Sequence, residues 1–430
     1  MLIHILVMMI LENLIKFSII ASVIALIGAF IDFMIRYNFE TTSSLLKNIF
    51  NRKKKAPTNN KINIALLTNE IPPIVYGGVA TWIINFINMM ENSEKYNVIP
   101  VFLAYNDTLP EEYIKKYRGI RIINSPGDIQ THFKDIDICV NNLWVSLETI
   151  IEIKTLFPKT HIITVCHSLI RMEHITNLGS QYTNNFNDQE TTFQHSDSVV
   201  LISNAEEEYY KLFGYDKFRA NTRVIYNSYI PKYDDIPFSA DYTCNDVGYL
   251  GRHVPRKRPE IPIKAVEYLK QKTIKVFNMG VDYDKYDNAY WRELDKLHGD
   301  QLNIIPFTSD EKIKDSYWKN IGVNSIIGIY EPFGYTCAEA IDRGIPIICQ
   351  NIDGPKEIVE EVKAYIYSYE VDKDDYARDI VNFSDTLEKF WNTPPEVRRT
   401  NAIKARKALD KLRPEIIKKE WEDLMDEIIH

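Results

Sequence analysis

The sequence lacks the cysteine patterns that stabilise small secreted domains or hold structural metals. Its five cysteines are Cys139, Cys166, Cys244, Cys337 and Cys349. They are odd in number, scattered, and never form a C-x-x-C pair, so they suit neither a disulfide framework nor a zinc site. The cysteine content therefore favours a reducing compartment.

The chain also lacks an excess of positive charge. Its 59 acidic and 51 basic residues give a formal net charge of −8, which argues against a protein that coats nucleic acid with a broad basic face. Apolar residues make up 45% and charged residues 26% of the chain, which are ordinary globular proportions. Because 430 residues exceed one ordinary core, we expect two domains of roughly 150 to 200 residues each.

One long apolar run stands near the amino terminus. Residues 17–35, FSIIASVIALIGAFIDFMI, contain Asp32 as their single charge, and as a helix they would extend about 28 Å, enough to cross a bilayer. A cleaved signal peptide is disfavoured because a basic region before the run and an A-x-A-like site after it are missing. A buried or interfacial helix is the other alternative, and a second apolar stretch upstream leaves a hairpin open.

A basic linker follows this run. The cluster Arg52–Lys55 lies downstream, whereas little more than Lys16 lies upstream. By the positive-inside tendency, the sequence predicts a single-pass amino-terminal signal-anchor in a membrane, with the main body in the cytosol. The cluster would be a solvated linker in either case.

Beyond the linker, short apolar runs alternate with amphipathic stretches. INIALLTNE (62–70) reads as a buried parallel strand, and similar runs recur up to a polar, proline-containing segment at 229–246. The pattern then restarts with VGYLGR, and such alternation is typical of βαβ units in a doubly wound sheet. The sequence thus predicts an α/β protein with two Rossmann-like domains facing across a cleft, in which ligands bind at strand carboxyl ends.

The predicted domain boundaries follow these changes of pattern. They are 1–60 for the anchor and linker, 61–240 for the first domain, 241–405 for the second, and 406–430 for a helix that braces the two halves.

The stretch IYEPFGYTCAEAIDRGIP, residues 329–346, places Glu331 and Glu339 around a Pro-Phe-Gly turn. Glu331 is predicted to end a buried strand, and Glu339 to lie about one turn inside the helix that follows. Two carboxylates can accept hydrogen bonds from hydroxyl groups, while main-chain N–H groups at a helix start can bind an anion. A ligand that carries both hydroxyls and phosphate would match this arrangement.

A basic loop, YLGRHVPRKRPE, holds four cations in seven residues. Arg252 ends a strand, Lys257 follows five residues later, and Arg256 and Arg258 flank Lys257. Like charges this close repel one another unless an anion neutralises them, so a diphosphate is an attractive ligand. The alternative is a solvated basic loop.

Two weaker features lie in the first half. Gly77 and Gly78 stand between a strand and a helix, where glycines allow close approach of the main chain to a phosphate or sugar, but they lack the G-x-G-x-x-G and Walker patterns. His167 immediately follows a strand in TVCHS. Taken alone, the pair is equally well a plain turn, and the histidine is more often structural than catalytic.

Together these motifs resemble a known family. EPFGYTCAE resembles the E-x7-E signature of the retaining family 4 glycosyltransferases, which belong to the glycosyl transferases group 1, and LGRHVPRK is similar to their G-R-x-x-x-x-K motif. IYNSYI and NIDGPKEIV are similar to two further segments of that family, and the resemblance extends over about residues 62–425 in the right order. It implies a GT-B fold and a hexosyltransferase-type enzyme that retains anomeric configuration and needs no metal or other cofactor.

The resemblance also implies roles by matching position. Arg252 and Lys257 would hold the donor diphosphate, Glu331 the sugar hydroxyls and Glu339 the ribose hydroxyls. The main chain of Phe333 and Gly334 would approach the sugar, Gly77 and Gly78 would lie beside the phosphates, and His167 would face the reacting centre. The implied partners are a nucleotide-sugar donor and a glycan, lipid-linked or protein acceptor, together with the membrane at the anchor.

Some positions depart from the family pattern. Tyr226 and Ser228 replace the usual proline and glycine, and Gly354 stands alone where two glycines are common. The triplets DID (135–137) and DYD (282–284) resemble a metal-binding D-x-D motif, but such triplets are frequent by chance and no metal is predicted. Two rival hypotheses stay open: a catalytically silent nucleotide-sugar-binding protein, and an epimerase or phosphorylase on the same fold.

Overall fold

The computed structural model describes residues 61–104, 108–117, 119–142, 146–177, 185–233, 241–281 and 288–429. These residues form two parallel β-sheets that follow one another along the chain. We call residues 61–233 the first lobe and residues 241–413 the second lobe.

The described residues of the first lobe form seven strands. They are β1 (Ile62–Thr68), β2 (Tyr96–Leu103), β3 (Arg121–Ile123), β4 (Ile138–Asn141), β5 (His161–Cys166), β6 (Ser198–Leu201) and β7 (Asn221–Val224). They pair in the order β3-β2-β1-β4-β5-β6-β7, and every pairing is parallel. The central strand β1 is buried from Ile64 to Thr68, as expected for an apolar strand covered on both faces of a sheet.

Among the described residues of the first lobe, seven α-helices alternate with these strands. They are α1 (Gly78–Met90), α2 (Glu111–Lys116), α3 (Ile129–His132), α4 (Leu147–Leu156), α5 (Ile170–Thr176), α6 (Phe186–Gln194) and α7 (Asn204–Leu212).

The part of the second lobe that the structure describes forms six strands. They are β8 (Val247–Leu250), β9 (Val276–Val281), β10 (Leu302–Pro306), β11 (Val323–Ile326), β12 (Ile347–Gln350) and β13 (Tyr367–Tyr369). The order β10-β9-β8-β11-β12-β13 is again parallel throughout. The prediction of an α/β fold with two parallel sheets is confirmed.

Eight described α-helices belong to the second lobe and the carboxyl-terminal segment. They are α8 (Ile261–Tyr268), α9 (Asn288–His298), α10 (Glu311–Asn320), α11 (Tyr335–Asp342), α12 (Asp353–Val359), α13 (Tyr376–Trp391), α14 (Pro395–Ala405) and α15 (Pro414–Ile429).

The last helix returns to the first lobe. Trp421 of α15 packs edge-on against Trp82 and Phe86 of α1, with ring centroids 5.8 and 5.1 Å away. Trp421 is buried to 1% exposure. Aromatic side chains of this size contribute strongly to the packing of a hydrophobic core. Helix α15 therefore completes the hydrophobic core around α1 in the first lobe.

The membrane part of the prediction requires correction. The apolar run at 17–35 lies outside the described residues. Within the described ranges, no helix has the length and apolar character that a membrane span requires; α13 and α15 have 16 residues each and carry charged side chains, against about 20 apolar residues for a span. The predicted transmembrane helix is therefore not supported, and the signal-anchor, the single-pass localisation and the membrane partner are corrected with it.

Candidate active site

The candidate site lies where strands of the second sheet end. Arg252 follows β8 by two residues, and Glu331 follows β11 by five. Because β8 and β11 are parallel neighbours, their carboxyl ends meet at one edge of the sheet. That edge is the usual ligand-binding position in open α/β sheets.

Lys257 and Glu331 form the central contact of the site. Lys257 ends a short 3-10 helix, Pro255–Lys257, and its Nζ donates to Glu331 Oε2 over 2.5 Å. Their side chains are 17% and 18% exposed. Burial by itself raises the pKa of Glu331, but the Lys257 ammonium and the Arg256 guanidinium outweigh it and hold that pKa below its usual value. The two predicted residues are thus brought together as an ionised pair.

The four cations of the basic loop do not act alike. Arg256 is 3% exposed and donates to the Tyr330 carbonyl over 2.8 Å and to Glu173 over 3.2 Å. Arg258 donates to buried Asp379 over 2.5 Å. Arg252 is exposed and forms no ion pair with the part of the chain that the structure describes. Two cations therefore remain available to an anion. They are Arg252 and Lys257, whose ammonium group is shared with Glu331.

The Pro-Phe-Gly turn is shaped by close main-chain packing. Gly334 has a φ of 97°, a left-handed conformation that favours glycine, and an added Cβ would lie 2.9 Å from Pro355. A Cβ on Gly354 would overlap the Pro332 carbonyl oxygen and lie 2.5 Å from Cα of Phe333. These glycines let the turn and the start of α12 lie directly against each other beside Glu331.

Glu339 lies in α11, one turn beyond this glycine. It is partly buried, and burial raises the pKa of its carboxyl, while Arg343 and then Lys314 oppose the rise. The first turn of α11 has no side-chain cap. Glu339 and the main-chain N–H groups at the helix start are the combination that hydroxyl and phosphate groups of one ligand would bind.

The first lobe contributes the glycine pair. Gly78 begins α1, and an added Cβ there would lie 3.8 Å from the Tyr335 ring of the second lobe. A Cβ on Gly77 would lie 4.0 Å from Glu70 Oε2. The structure thus places Gly78 opposite α11, across the boundary between the lobes, and Gly77 beside Glu70 of its own lobe.

His167 contacts residues of the first lobe. Its Nε2 lies 2.9 Å from Asn142 Oδ1, and its ring packs edge-on against Trp82 at 5.3 Å. Burial lowers the pKa of His167 to about 3, so the ring is neutral near pH 7. These contacts bring it to neither Lys257 nor Glu331.

Sequence reasoning missed Glu70. It follows β1 by two residues, and burial raises the pKa of its carboxyl, while Arg252 opposes the rise. The Glu70 carboxyl therefore lies near Gly77 and close enough to the Arg252 guanidinium to feel its charge. Its position just after an apolar strand was the signal that could have identified it.

Of the two D-x-D triplets, 282–284 lies outside the described residues. In the other, Asp135 and Asp137 accept hydrogen bonds from the side chain and main chain of Asn63, over 3.1 and 2.8 Å. Both bonds are exposed. The first triplet therefore links the start of β1 to the start of β4.

Known proteins share features of this chain. Residues 238–389 match the family described as Glycosyl transferases group 1. The uncharacterized glycosyltransferase MJ1607 of Methanocaldococcus jannaschii is 22% identical over 351 residues, which covers 74% of this chain and 87% of that protein.

Two solved structures show the same fold. Sucrose-phosphate synthase from Thermosynechococcus elongatus has a TM-score of 0.68 at 17% identity and covers 86% of this chain and 99% of its own. Anabaena HepE in complex with UDP-glucose has a TM-score of 0.65 at 16% identity, covering 85% and 100%. The family match covers most of the second lobe, and the two solved structures share the GT-B fold of the chain.

Proposed function

We propose that the protein is a hexosyltransferase that moves a sugar from a nucleotide-sugar donor to an acceptor, as a family 4 enzyme with retention of anomeric configuration and without a metal ion. The observation that carries the proposal is the contact of Lys257 with Glu331 at the carboxyl edge of the second sheet. It brings a phosphate-binding cation and a hydroxyl-binding carboxylate to one point. A sugar joined to a diphosphate presents both partners at that spacing.

Arg252 and Lys257 bind the diphosphate in this proposal. When the bond between the anomeric carbon and the diphosphate breaks, the bonding electrons leave with the phosphate oxygen. Fixed cations stabilise that developing charge without reorganisation. Two such cations supply the stabilisation that a divalent metal would otherwise give, which is the basis for proposing metal independence.

The remaining residues position the donor and the acceptor. Glu331 accepts hydrogen bonds from sugar hydroxyls, and Glu339 accepts them from the ribose. The main chain at Phe333 and Gly334 lies along the sugar, and Gly77 and Gly78 lie beside the phosphates. This assignment rests on the contacts around α11 and on the E-x7-E motif, and retention is proposed on that motif alone.

His167 faces the reacting centre in the proposal. Because its pKa is near 3, the ring acts as a neutral hydrogen-bonding group and not as a cation. The acceptor is a glycan, lipid-linked or protein hydroxyl, bound mainly by the first lobe.

A thermal-shift panel on the full-length chain tests the proposal. UDP-, GDP- and ADP-glucose are added with and without EDTA, beginning with UDP-glucose because a neighbour binds it. A ligand present at 100 times its Kd raises stability by about 2.7 kcal/mol. A shift with one sugar nucleotide that persists in EDTA supports metal-free donor binding, and no shift with any of them contradicts the proposal.

The configuration of the product tests the finer part. Incubation with the active donor and a panel of simple sugars as acceptors is followed by proton NMR of the anomeric signal. A product with the donor's configuration supports retention, and an inverted product overturns it.

A further inference from the structure

Asp353 adopts a conformation that aspartate takes only occasionally. Its φ is +57°, in the left-handed region where side chains other than glycine are disfavoured. The side chain is also 6% exposed. A strained main chain that carries a buried acid persists only where the surrounding structure holds it there, so its contacts are informative.

The carboxylate of Asp353 fixes the main chain of Glu331. The Glu331 N–H donates to Asp353 Oδ2 over 3.0 Å. The next residue completes the arrangement, because the Gly354 N–H donates to the Glu331 carbonyl over 3.1 Å. Both peptide groups of Glu331 are thereby held by neighbouring residues at the start of α12, while its side chain contacts Lys257.

The other oxygen of the same carboxylate reaches the first lobe. Tyr209 of α7 donates its hydroxyl hydrogen to Asp353 Oδ1 over 2.8 Å. Lys373 of the second lobe donates to the Tyr209 oxygen over 3.0 Å. One carboxylate thus joins the first lobe to the main chain of Glu331.

The charge of Asp353 is compensated in place. Burial raises the pKa of its carboxyl, while the Lys373 ammonium and the hydrogen bond from Glu331 oppose the rise. A buried carboxylate is costly unless such partners are present. Asp353 therefore combines a strained main-chain conformation with a buried carboxylate, and it lies beside Glu331, which is proposed to bind the substrate.

We propose that Asp353 is a positioning residue that orients Glu331 toward the sugar of the donor, and that Tyr209 makes this orientation depend on the alignment of the two lobes. The inference rests on the proposed function, in which Glu331 contacts sugar hydroxyls. It assigns Asp353 to recognition of the sugar and not of the nucleotide. Variants of Asp353 should therefore separate the two affinities.

Isothermal titration calorimetry on the full-length chain makes the test. The probes are UDP, GDP and ADP, each compared with its glucose conjugate. Asp353→Gly removes the carboxylate and keeps a residue suited to positive φ, so it avoids the strain that Asp353→Ala would add. Tyr209→Phe removes one hydroxyl, and Tyr210→Phe is its matched control, since the buried Tyr210 hydroxyl has no hydrogen-bond partner among the described residues.

We expect Asp353→Gly to weaken binding of the nucleotide sugar about tenfold, as for loss of one buried hydrogen bond, and to change the affinity for the free nucleoside diphosphate less than about twofold. Tyr209→Phe should act in the same direction with a smaller effect, and Tyr210→Phe should leave both affinities unchanged. The double variant Asp353→Gly/Tyr209→Phe should be no weaker than Asp353→Gly, because Tyr209 acts through Asp353.

Several results would overturn the inference. Equal losses for the sugar nucleotide and the free diphosphate would show a merely structural role, as would additive effects in the double variant. Unchanged binding in Asp353→Gly, with normal binding by the wild type, refutes only the positioning role. Failure of the wild type to bind any of the six probes refutes the proposed function, and the inference with it.

Discussion

The two lobes contribute to the candidate site in different ways. In the second lobe, the charged residues of the motifs are linked by short contacts: Lys257 to Glu331, and Arg258 to Asp379. In the first lobe, the predicted residues are a glycine pair and His167, which packs on Trp82. The family match, at 238–389, also falls mainly on the second lobe. The second-lobe motif residues Lys257 and Glu331 therefore contact each other directly, whereas His167 contacts first-lobe residues outside the motifs.

The largest expected effect concerns the central pair. Lys257→Ala should lower kcat about a hundredfold or more, because a cation opposing leaving-group charge acts most strongly in the transition state. Steady-state kinetics with the active donor measures it. The control is Lys115→Ala in the first lobe, whose ion pair with Glu111 is 75% and 80% exposed and should matter little. A kcat unchanged by Lys257→Ala would place the stabilisation of the leaving group elsewhere.

The next comparison contrasts one glycine from each lobe. Gly354→Ala should lower the free energy of unfolding by about 2 to 3 kcal/mol, since the new methyl group would overlap the main chain at Pro332 and Phe333. Gly78→Ala should cost less than about 0.5 kcal/mol, because its Cβ would meet only the Tyr335 ring at 3.8 Å. Urea unfolding midpoints give both values. Similar losses would show that packing around the two glycines does not differ as described.

A smaller effect is expected on the affinity for the nucleotide, and it should differ between a second-lobe residue and a first-lobe residue. Glu339→Ala should weaken binding of the matching nucleoside diphosphate about tenfold, the size expected for losing hydrogen bonds to a carboxylate. His167→Gln should change the affinity for the nucleoside diphosphate less than twofold, which is about the limit of measurement. The reason is that His167 contacts Asn142 and Trp82 in the first lobe. Calorimetric titration distinguishes them, and equal losses would contradict the division between lobes.

A different kind of effect is the pH dependence of stability. Burial raises the pKa of Glu206 to about 8, with the Tyr330 hydroxyl opposing. The native state therefore keeps a proton that the unfolded state has released, and wild-type stability falls as pH rises from about 4.5 to 8, by up to ~1.4 kcal/mol per pH unit. Glu206→Gln cannot titrate, so its stability relative to wild type should rise over that range.

Glu331 gives the opposite trend in the second lobe. Its pKa is held down, so its stabilising contribution is present above the unfolded-state pKa and is lost as pH falls below it. Urea unfolding of Glu331→Gln from pH 5 to 8 should therefore show a steady deficit relative to wild type. A deficit that vanishes toward pH 8 would contradict the ionised pair.

Much of the fold was predictable because its signals are local. Apolar runs between amphipathic stretches indicated two parallel sheets, and the loops after two neighbouring strands brought Lys257 and Glu331 together. The carboxylate partners of Arg256 and Arg258 were not predictable. Their partners Glu173 and Asp379 lie 83 and 121 positions away, and no local pattern reports such pairings.

Two further features show what the sequence alone could not establish. Gly354 was noted as a single glycine where a pair is usual, but the sequence could not reveal that Asp353 takes the left-handed conformation and binds Tyr209. The apolar run at 17–35 has the length and the apolar composition of a membrane span. Length and composition alone, however, do not establish that a segment crosses a membrane. The roles assigned to individual site residues stay predictions until the variants are measured.

The return of α15 to α1 has a consequence for how the protein is made. Trp82 and Phe86 need Trp421 as a packing partner, and the ribosome synthesises the whole second lobe before that residue. Until α15 is synthesised, the first lobe lacks the side chain that packs against Trp82 and Phe86. This part of the first-lobe core can therefore be completed only after the second lobe has been synthesised.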